Sequence, residues 1–150
     1  MERIASFCVD HTKLEKGVYV SRIDGDITTF DIRMKKPNVE EVLQNGAIHT
    51  IEHLFATYAR NCEHKDSVIY FGPMGCRTGC YFLTRDLDNA TVLSIIKAAF
   101  QFIADYEGEI PGNTAVECGN YRDHDLEGAK QEAKAFCDIL KPLSDKDMQY

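Results

Sequence analysis

The sequence lacks any uninterrupted apolar run near the roughly 18 residues that a membrane-spanning helix requires. Residues 1–20 also lack the long apolar stretch of a secretory signal peptide. Basic residues are few: 17 Lys and Arg stand against 24 Asp and Glu, the formal net charge is −7, and no basic cluster compensates locally. Such a protein repels phosphate backbones. We therefore expect a cytoplasmic protein that binds neither membranes nor nucleic acids.

Cysteine and proline are also scarce. Six cysteines in 150 residues are too few for a disulfide scaffold, and the expected compartment is reducing, so free thiols are predicted. The four prolines form no linker, and neither a repeat nor a low-complexity tract interrupts the chain. A chain of this length can bury a core of its own. We expect one domain that spans residues 1–150.

The apolar residues follow two periodicities. Alternation and β-branched composition predict strands at residues 18–23, 27–35, 67–71 and 79–85, and helical spacing predicts helices at 47–62, 89–107 and 125–140. Asn89 is the predicted N-cap of the second helix, and Gly108 its stop signal. The strands come in hairpins and do not alternate with helices. The expected fold is therefore α+β, a small antiparallel sheet covered on one face by helices.

The sequence His49-Thr50-Ile51-Glu52-His53 lies on the first predicted helix. Residues four apart on a helix lie about 40° apart around the axis and roughly 6 Å apart along it, so two imidazoles can bind one ion. Glu52 can reach toward the same ion as a general acid or base. Inverzincin peptidases share this H-x-x-E-H pattern. An amphipathic helix with two solvated histidines is the simpler alternative.

A catalytic metal usually has three protein ligands and one open position. Cys118 is the best candidate for the third ligand, because it lies in a polar loop beside Gly119, which allows the backbone to approach closely. Two imidazoles and one thiolate suit Zn²⁺, Fe²⁺ or Co²⁺.

A second motif, Gly72-Pro73-Met74-Gly75-Cys76-Arg77-Thr78-Gly79-Cys80, places a cysteine on a predicted tight turn. The cationic neighbour Arg77 is expected to stabilise a Cys76 thiolate. A structural metal site built from Cys76 and Cys80 is the alternative, although a single C-x3-C pair is weak evidence for it.

An ordered set of motifs runs along nearly the whole chain: Ser6-Phe7, Asp10-His11, Phe30-Asp31-Ile32-Arg33, Pro37-Asn38, His49-Thr50-Ile51-Glu52-His53, Pro73-Met74-Gly75-Cys76, Thr78-Gly79, Cys118-Gly119 and His124-Asp125-Leu126-Glu127-Gly128-Ala129. In this set the chain resembles the LuxS family of S-ribosylhomocysteine lyases. The ordered set is far more specific than any one motif.

The resemblance implies a cytoplasmic homodimer with ferrous iron, for which Zn²⁺ or Co²⁺ can substitute, and with active sites at the subunit interface. Its substrate is S-ribosylhomocysteine, which it cleaves to homocysteine and 4,5-dihydroxy-2,3-pentanedione, the precursor of the quorum-sensing signal autoinducer-2. The implied roles form three groups: metal ligands His49, His53 and Cys118; proton carriers Cys76 and Glu52; and substrate-binding residues Ser6, His11 and Arg33.

The chain departs from the family pattern near its N-terminus, where the proline often found before Tyr19 is missing, and at three positions around Cys76. Tyr70 stands where many members have an acidic residue, Gly72 where serine is usual, and Cys80 where an aromatic residue is common. The departure at Tyr70 leaves recognition of the homocysteine end open. Two rival functions remain at this point: a small metallopeptidase in which Glu52 activates water, and a non-catalytic module in which the ion only stabilises the fold.

Overall fold

Four strands and three main helices make up the fold in a computed structural model that describes residues 1–150. In chain order they are β1 (Gly17–Asp24), β2 (Ile27–Arg33), α1 (Asn45–Ala59), β3 (Val68–Pro73), β4 (Gly79–Arg85), α2 (Asn89–Ala104) and α3 (Leu126–Leu140). Single 3₁₀ turns lie at Ala5–Phe7, Lys65–Ser67 and Asp145–Asp147. The predicted α+β class is confirmed. None of the helices combines the length and apolarity of a membrane span.

The four strands form one antiparallel sheet in the order β1-β2-β4-β3. The two predicted hairpins are joined by β2 and β4, which pair from Ile27 opposite Arg85 to Arg33 opposite Gly79. Side chains alternate between the two faces of a strand. Phe30 and Ile32 therefore point into the helix-covered core, and Asp31 and Arg33, which alternate with them, lie on the other face.

A cluster of aromatic rings joins the sheet to the helices. The Phe55 ring of α1 stacks on Phe71 of β3 with a centroid separation of 3.9 Å, and it makes edge contacts with Phe82 of β4 and Phe100 of α2. Burying each such side chain stabilises the fold by about 1.5–3 kcal/mol. The buried face of α1 is thereby fixed, and the helix positions the histidines on its other face.

Element boundaries differ from the predictions by a few residues, for local reasons. α2 is capped by Asp88 and not by Asn89, because the Asp88 carboxylate accepts a hydrogen bond from Thr91 N. The same helix ends at Ala104, before Gly108. β2 ends at Arg33 because the next two amides, of Met34 and Lys35, both donate to the Thr78 carbonyl. α1 begins at Asn45 and ends at Ala59, not at residues 47 and 62.

The N-terminus of α3 packs against the N-terminal part of α1. Asp125 caps α3 by accepting a hydrogen bond from Gly128 N. Its own amide donates to the Gly46 carbonyl and to Thr50 Oγ1, both on α1. The long loop between α2 and α3 therefore returns to the face of α1 that carries the histidines.

Candidate active site

Four side chains that can ligate a metal converge where this loop meets α1. The donor atoms of His49, His53, Cys118 and His124, called here the four-donor cluster, all lie within 4.8 Å of one another. Cys118 Sγ is 3.4 Å from His49 Nε2 and 3.9 Å from His53 Nε2. Tetrahedral coordination at usual zinc bond lengths separates sulfur from nitrogen by roughly 3.6 Å. The three donors predicted from the sequence thus have spacings that suit one ion.

Backbone carbonyls fix the tautomer of both α1 histidines. Nδ1 of His49 lies 2.7 Å from the Asp123 carbonyl oxygen, and Nδ1 of His53 lies 2.8 Å from the Pro111 carbonyl oxygen. A carbonyl only accepts hydrogen bonds, so each Nδ1 carries the proton and each Nε2 presents a lone pair. This is the usual arrangement behind metal-binding histidines.

Gly112 lets the Pro111 carbonyl reach His53. It has a φ of +72°, and a Cβ at this position would lie 3.3 Å from His53 Nδ1. A side chain at residue 112 would therefore strain the backbone and crowd the imidazole.

The Cys118 loop is held by local hydrogen bonds. The amide of Cys118 donates to the Thr114 carbonyl at 2.9 Å, and the amide of Asn120 donates to Cys118 Sγ at 3.4 Å. A donor to sulfur stabilises the thiolate form that binds metals.

His124 is the member of the cluster to which sequence reasoning assigned no role. Its ring stacks on His49 with a centroid separation of 3.9 Å. The Thr50 hydroxyl donates its one proton to the Gly46 carbonyl, so His124 Nδ1–H donates to Thr50 Oγ1, 3.0 Å away. Nε2 is then a bare lone pair, buried and without a partner. An ion in the cluster would satisfy it. The sequence did contain a sign of a functional role, because His124 begins the matching motif His124–Ala129. That motif does not predict the direction in which the ring points.

Burial lowers the pKa of His124 to about 4, and the nearby His49 and His53 imidazoles act in the same direction. The ring is therefore neutral at pH 7, and its lone pair is free to face a cation.

Glu52 borders a cavity of about 320 Å³ next to the cluster, which it shares with His53 and Gly112. Glu52 precedes His53 by one residue on α1, so the two side chains leave the helix about 100° apart around its axis and border the cavity at different points. The position is compatible with the predicted acid and base role.

Cys76 lies at an exposed position on the turn between β3 and β4, called here the thiol turn (residues 74–78). Its Sγ is 3.1 Å from Thr78 Oγ1 and 3.9 Å from Arg33 Nη1. The expectation for Arg77 is wrong. Arg77 adopts a φ of +58°, and its guanidinium points toward the Leu43 carbonyl and Asn45 Oδ1. The cation that faces the sulfur comes from β2, which is distant in sequence.

Arg33 is held by a buried ion pair. Arg33 and Asp31 are 3% and 1% exposed, and the guanidinium contacts both carboxylate oxygens, at 3.1 and 2.6 Å. The Tyr150 hydroxyl donates to Asp31 Oδ2 at 2.6 Å. Burial, followed by the nearby Asp31 carboxylate, raises the pKa of Tyr150.

Cys80 is fully buried in the hydrophobic core. Burial raises the pKa of its thiol, and the negative charges of Glu52 and Cys76 lie near enough to raise it further. Glu52 and Cys76 therefore both lie near Cys80. Neither Cys76 nor Cys80 belongs to a cluster of metal-ligating residues, which speaks against the alternative of a metal site between them.

Ser6 and His11 do not meet the other predicted site residues within this chain. Ser6 lines a separate surface cavity with Tyr81 and Leu83, and His11 makes a local hydrogen bond from Nδ1 to the Val9 carbonyl at 2.8 Å.

Two departures from the family pattern are coupled in space. The Tyr70 ring lies over Gly72, and a Cβ at residue 72 would collide with the Tyr70 hydroxyl group. Tyr70 in this conformation therefore requires glycine at position 72.

Comparison with known proteins identifies the family of this chain. The S-ribosylhomocysteinase (LuxS) family model matches residues 4–146. The chain is 50% identical to the S-ribosylhomocysteine lyase of Desulfotalea psychrophila, over 100% of this chain and 99% of the relative. It is 48% identical to the lyase of the same name from Phocaeicola vulgatus, over 100% and 98% of the two chains, and 47% identical to that of Clostridium acetobutylicum, over 100% and 99%. The chain belongs to the S-ribosylhomocysteinase (LuxS) family.

Proposed function

We propose that this protein is an S-ribosylhomocysteine lyase, which cleaves the thioether of its substrate to homocysteine and 4,5-dihydroxy-2,3-pentanedione. The main support is the convergence of His49, His53 and Cys118 on one point in a chain of this family. Family membership also argues against the metallopeptidase and the non-catalytic module. The reaction moves a carbonyl along the sugar and then expels the sulfur by β-elimination, with no net redox change.

His49, His53 and Cys118 would hold the ion, ferrous iron in the native enzyme, with Zn²⁺ or Co²⁺ as substitutes. The donor set fits such an ion, because two Nε2 lone pairs and a thiolate face one another and the buried His124 Nε2 has no other partner. When bound, the ion supplies Lewis acidity that polarises the sugar oxygens and acidifies the neighbouring C–H bonds.

The proton transfers fall to Cys76 and Glu52. Cys76, as a thiolate exposed at the tip of its turn, takes a proton from one sugar carbon and returns it to the next. Glu52, beside the cavity near His53, exchanges protons with the sugar oxygens and assists the elimination. Arg33, whose Nη1 lies 3.9 Å from Cys76 Sγ, is the proposed substrate-binding residue next to that thiol.

We further propose a cytoplasmic homodimer in which Ser6 and His11 complete the active site of the partner subunit. In support, both residues lie away from the four-donor cluster in their own chain, and Ile4, Phe7 and Tyr70 expose more than half of their surface. Residues 1–150 are proposed as one domain, because a single hydrophobic cluster draws on β1 to β4 and α1 to α3.

The test is purification without oxygen in the presence of ferrous iron, followed by a colorimetric assay of free thiol released from S-ribosylhomocysteine. We expect turnover by the intact protein and none by a matched His53→Ala preparation. An iron-loaded, folded protein that releases no thiol would overturn the assignment.

A further inference from the structure

The hydrogen bonds around Cys76 involve a residue that has no role in the scheme above. We propose that Thr78 is a positioning residue whose hydroxyl donates a hydrogen bond to Cys76 Sγ and holds it as a thiolate oriented toward the substrate. This inference rests on the proposed role of Cys76 as proton carrier.

The direction of the bond follows from proton counting. Arg33 Nη1 donates to Thr78 Oγ1 at 2.7 Å, and a guanidinium can only donate. The hydroxyl oxygen therefore acts as the acceptor in that contact, and its single proton is free for its other neighbour. That neighbour is Cys76 Sγ at 3.1 Å. If the sulfur donated instead, the buried hydroxyl proton of Thr78 would have no partner.

The sulfur consequently faces two donors and no acceptor. Thr78 O–H approaches it directly, and Arg33 Nη1 lies 3.9 Å away. Donors favour the anionic sulfur over the protonated one, because hydrogen bonds to a charged acceptor are the stronger kind. The other titratable groups near Cys76 are the Cys80 thiol below it and the Tyr81 phenol on β4.

The Thr78 side chain is well placed for this role because its surroundings are rigid. Only 4% of Thr78 is exposed, and its carbonyl accepts hydrogen bonds from the amides of both Met34 and Lys35. Arg33 is fixed in turn by its buried pair with Asp31. The donor is thus anchored to two strands, whereas Cys76 itself is exposed to solvent and substrate.

The experiment measures the rate at which iodoacetamide alkylates Cys76 in the metal-loaded protein at pH 7, followed by mass spectrometry of the Cys76 peptide. Thr78→Val keeps the shape and removes the hydroxyl, and we expect alkylation to slow by about tenfold. Thr78→Ser restores the hydroxyl and should react at nearly the wild-type rate. Thr84→Val is the matched control, because Thr84, on β4, is also a buried threonine but its hydroxyl has no partner.

Thr78→Val that reacts as fast as the wild type, with the metal retained, would overturn the proposal. So would Thr78→Ser that reacts as slowly as Thr78→Val, since shape and not the hydroxyl would then matter. The alkylation rate does not depend on turnover. Slow alkylation of Thr78→Val, together with an unsubstituted protein that releases no thiol from S-ribosylhomocysteine, would support the hydrogen bond and refute the lyase assignment alone.

Discussion

The four-donor cluster and the thiol turn hold their reactive atoms by different means. In the cluster, main-chain groups orient three donors: the carbonyls of Asp123 and Pro111 and the amide of Asn120. In the thiol turn, two side chains, Thr78 and Arg33, face the sulfur. The geometry of the four-donor cluster therefore depends on the path of its loops. The surroundings of Cys76 Sγ in the thiol turn depend instead on the identity of two side chains. Substitutions can test this difference.

The largest effect is expected from removal of a metal ligand. His49→Ala, His53→Ala and Cys118→Ala should each lose the stoichiometric ion, because each residue supplies one of three protein bonds. Elemental analysis measures the loss. Asp123→Ala is the matched control, since it leaves the carbonyl that orients His49 in place and should retain the ion. Full retention of metal by His53→Ala would refute the ligand set.

The second largest effect is expected from the removal of a proton carrier while the ion stays bound. Cys76→Ala and Glu52→Gln should each lower the rate of thiol release by about 10²–10⁴-fold and leave the metal content unchanged. Cys80→Ala, which removes a buried thiol outside this scheme, should lose far less activity. Normal turnover by both metal-loaded carrier variants would rule out the mechanism.

Gly112→Ala tests whether metal binding by the four-donor cluster depends on the path of its loop. The positive φ and the contact with His53 Nδ1 disfavour any side chain here, so the Pro111 carbonyl should shift and metal affinity should fall by about tenfold. Competition with a chelator gives the affinity. Gly119→Ala, in the same loop but with open space around it, should bind metal normally. Equal affinities of the two variants would contradict the role of the loop path.

His124→Phe separates the lone pair of this ring from its packing. Phenylalanine can keep the stack on His49 but has no nitrogen to face the ion. We expect metal affinity to fall by up to about tenfold, a lesser effect than loss of a ligand. His64→Phe, at a histidine remote from the cluster, is the control. An unchanged affinity would limit His124 to packing.

The smallest effect concerns Tyr150. Its raised pKa means that the folded protein keeps the phenolic proton above the ordinary value of 10.0, so this contribution to stability is complete below pH 10 and is lost as the pH rises further. Tyr150→Phe should lower the free energy of unfolding by about 1 kcal/mol at neutral pH and flatten the decline above pH 10. Thermal denaturation against pH measures both. Identical profiles for the variant and the wild type would contradict the prediction.

Local sequence patterns predicted most of the helices and strands, and they predicted the part of the site that lies on α1. The spacing of His49, Glu52 and His53 is a property of one helix turn, so sequence alone places them together. The strand at residues 79–85 was predicted with its observed bounds, because composition and a preceding turn define it. Helix ends were less accurate, since Asp88 competes with Asn89 for the cap through a single side-chain hydrogen bond.

The sequence by itself determined the family, the fold class and the chemical types of the donors. Only the tertiary structure decided which groups meet. The cation beside Cys76 comes from Arg33, 43 residues earlier in the chain, and not from the adjacent Arg77, because strand pairing sets β2 against β4. His124 joins the cluster because the N-terminus of α3 bonds to α1 through Gly46 and Thr50. The physical reason is that such contacts depend on register and packing over long sequence separations, which no local periodicity encodes.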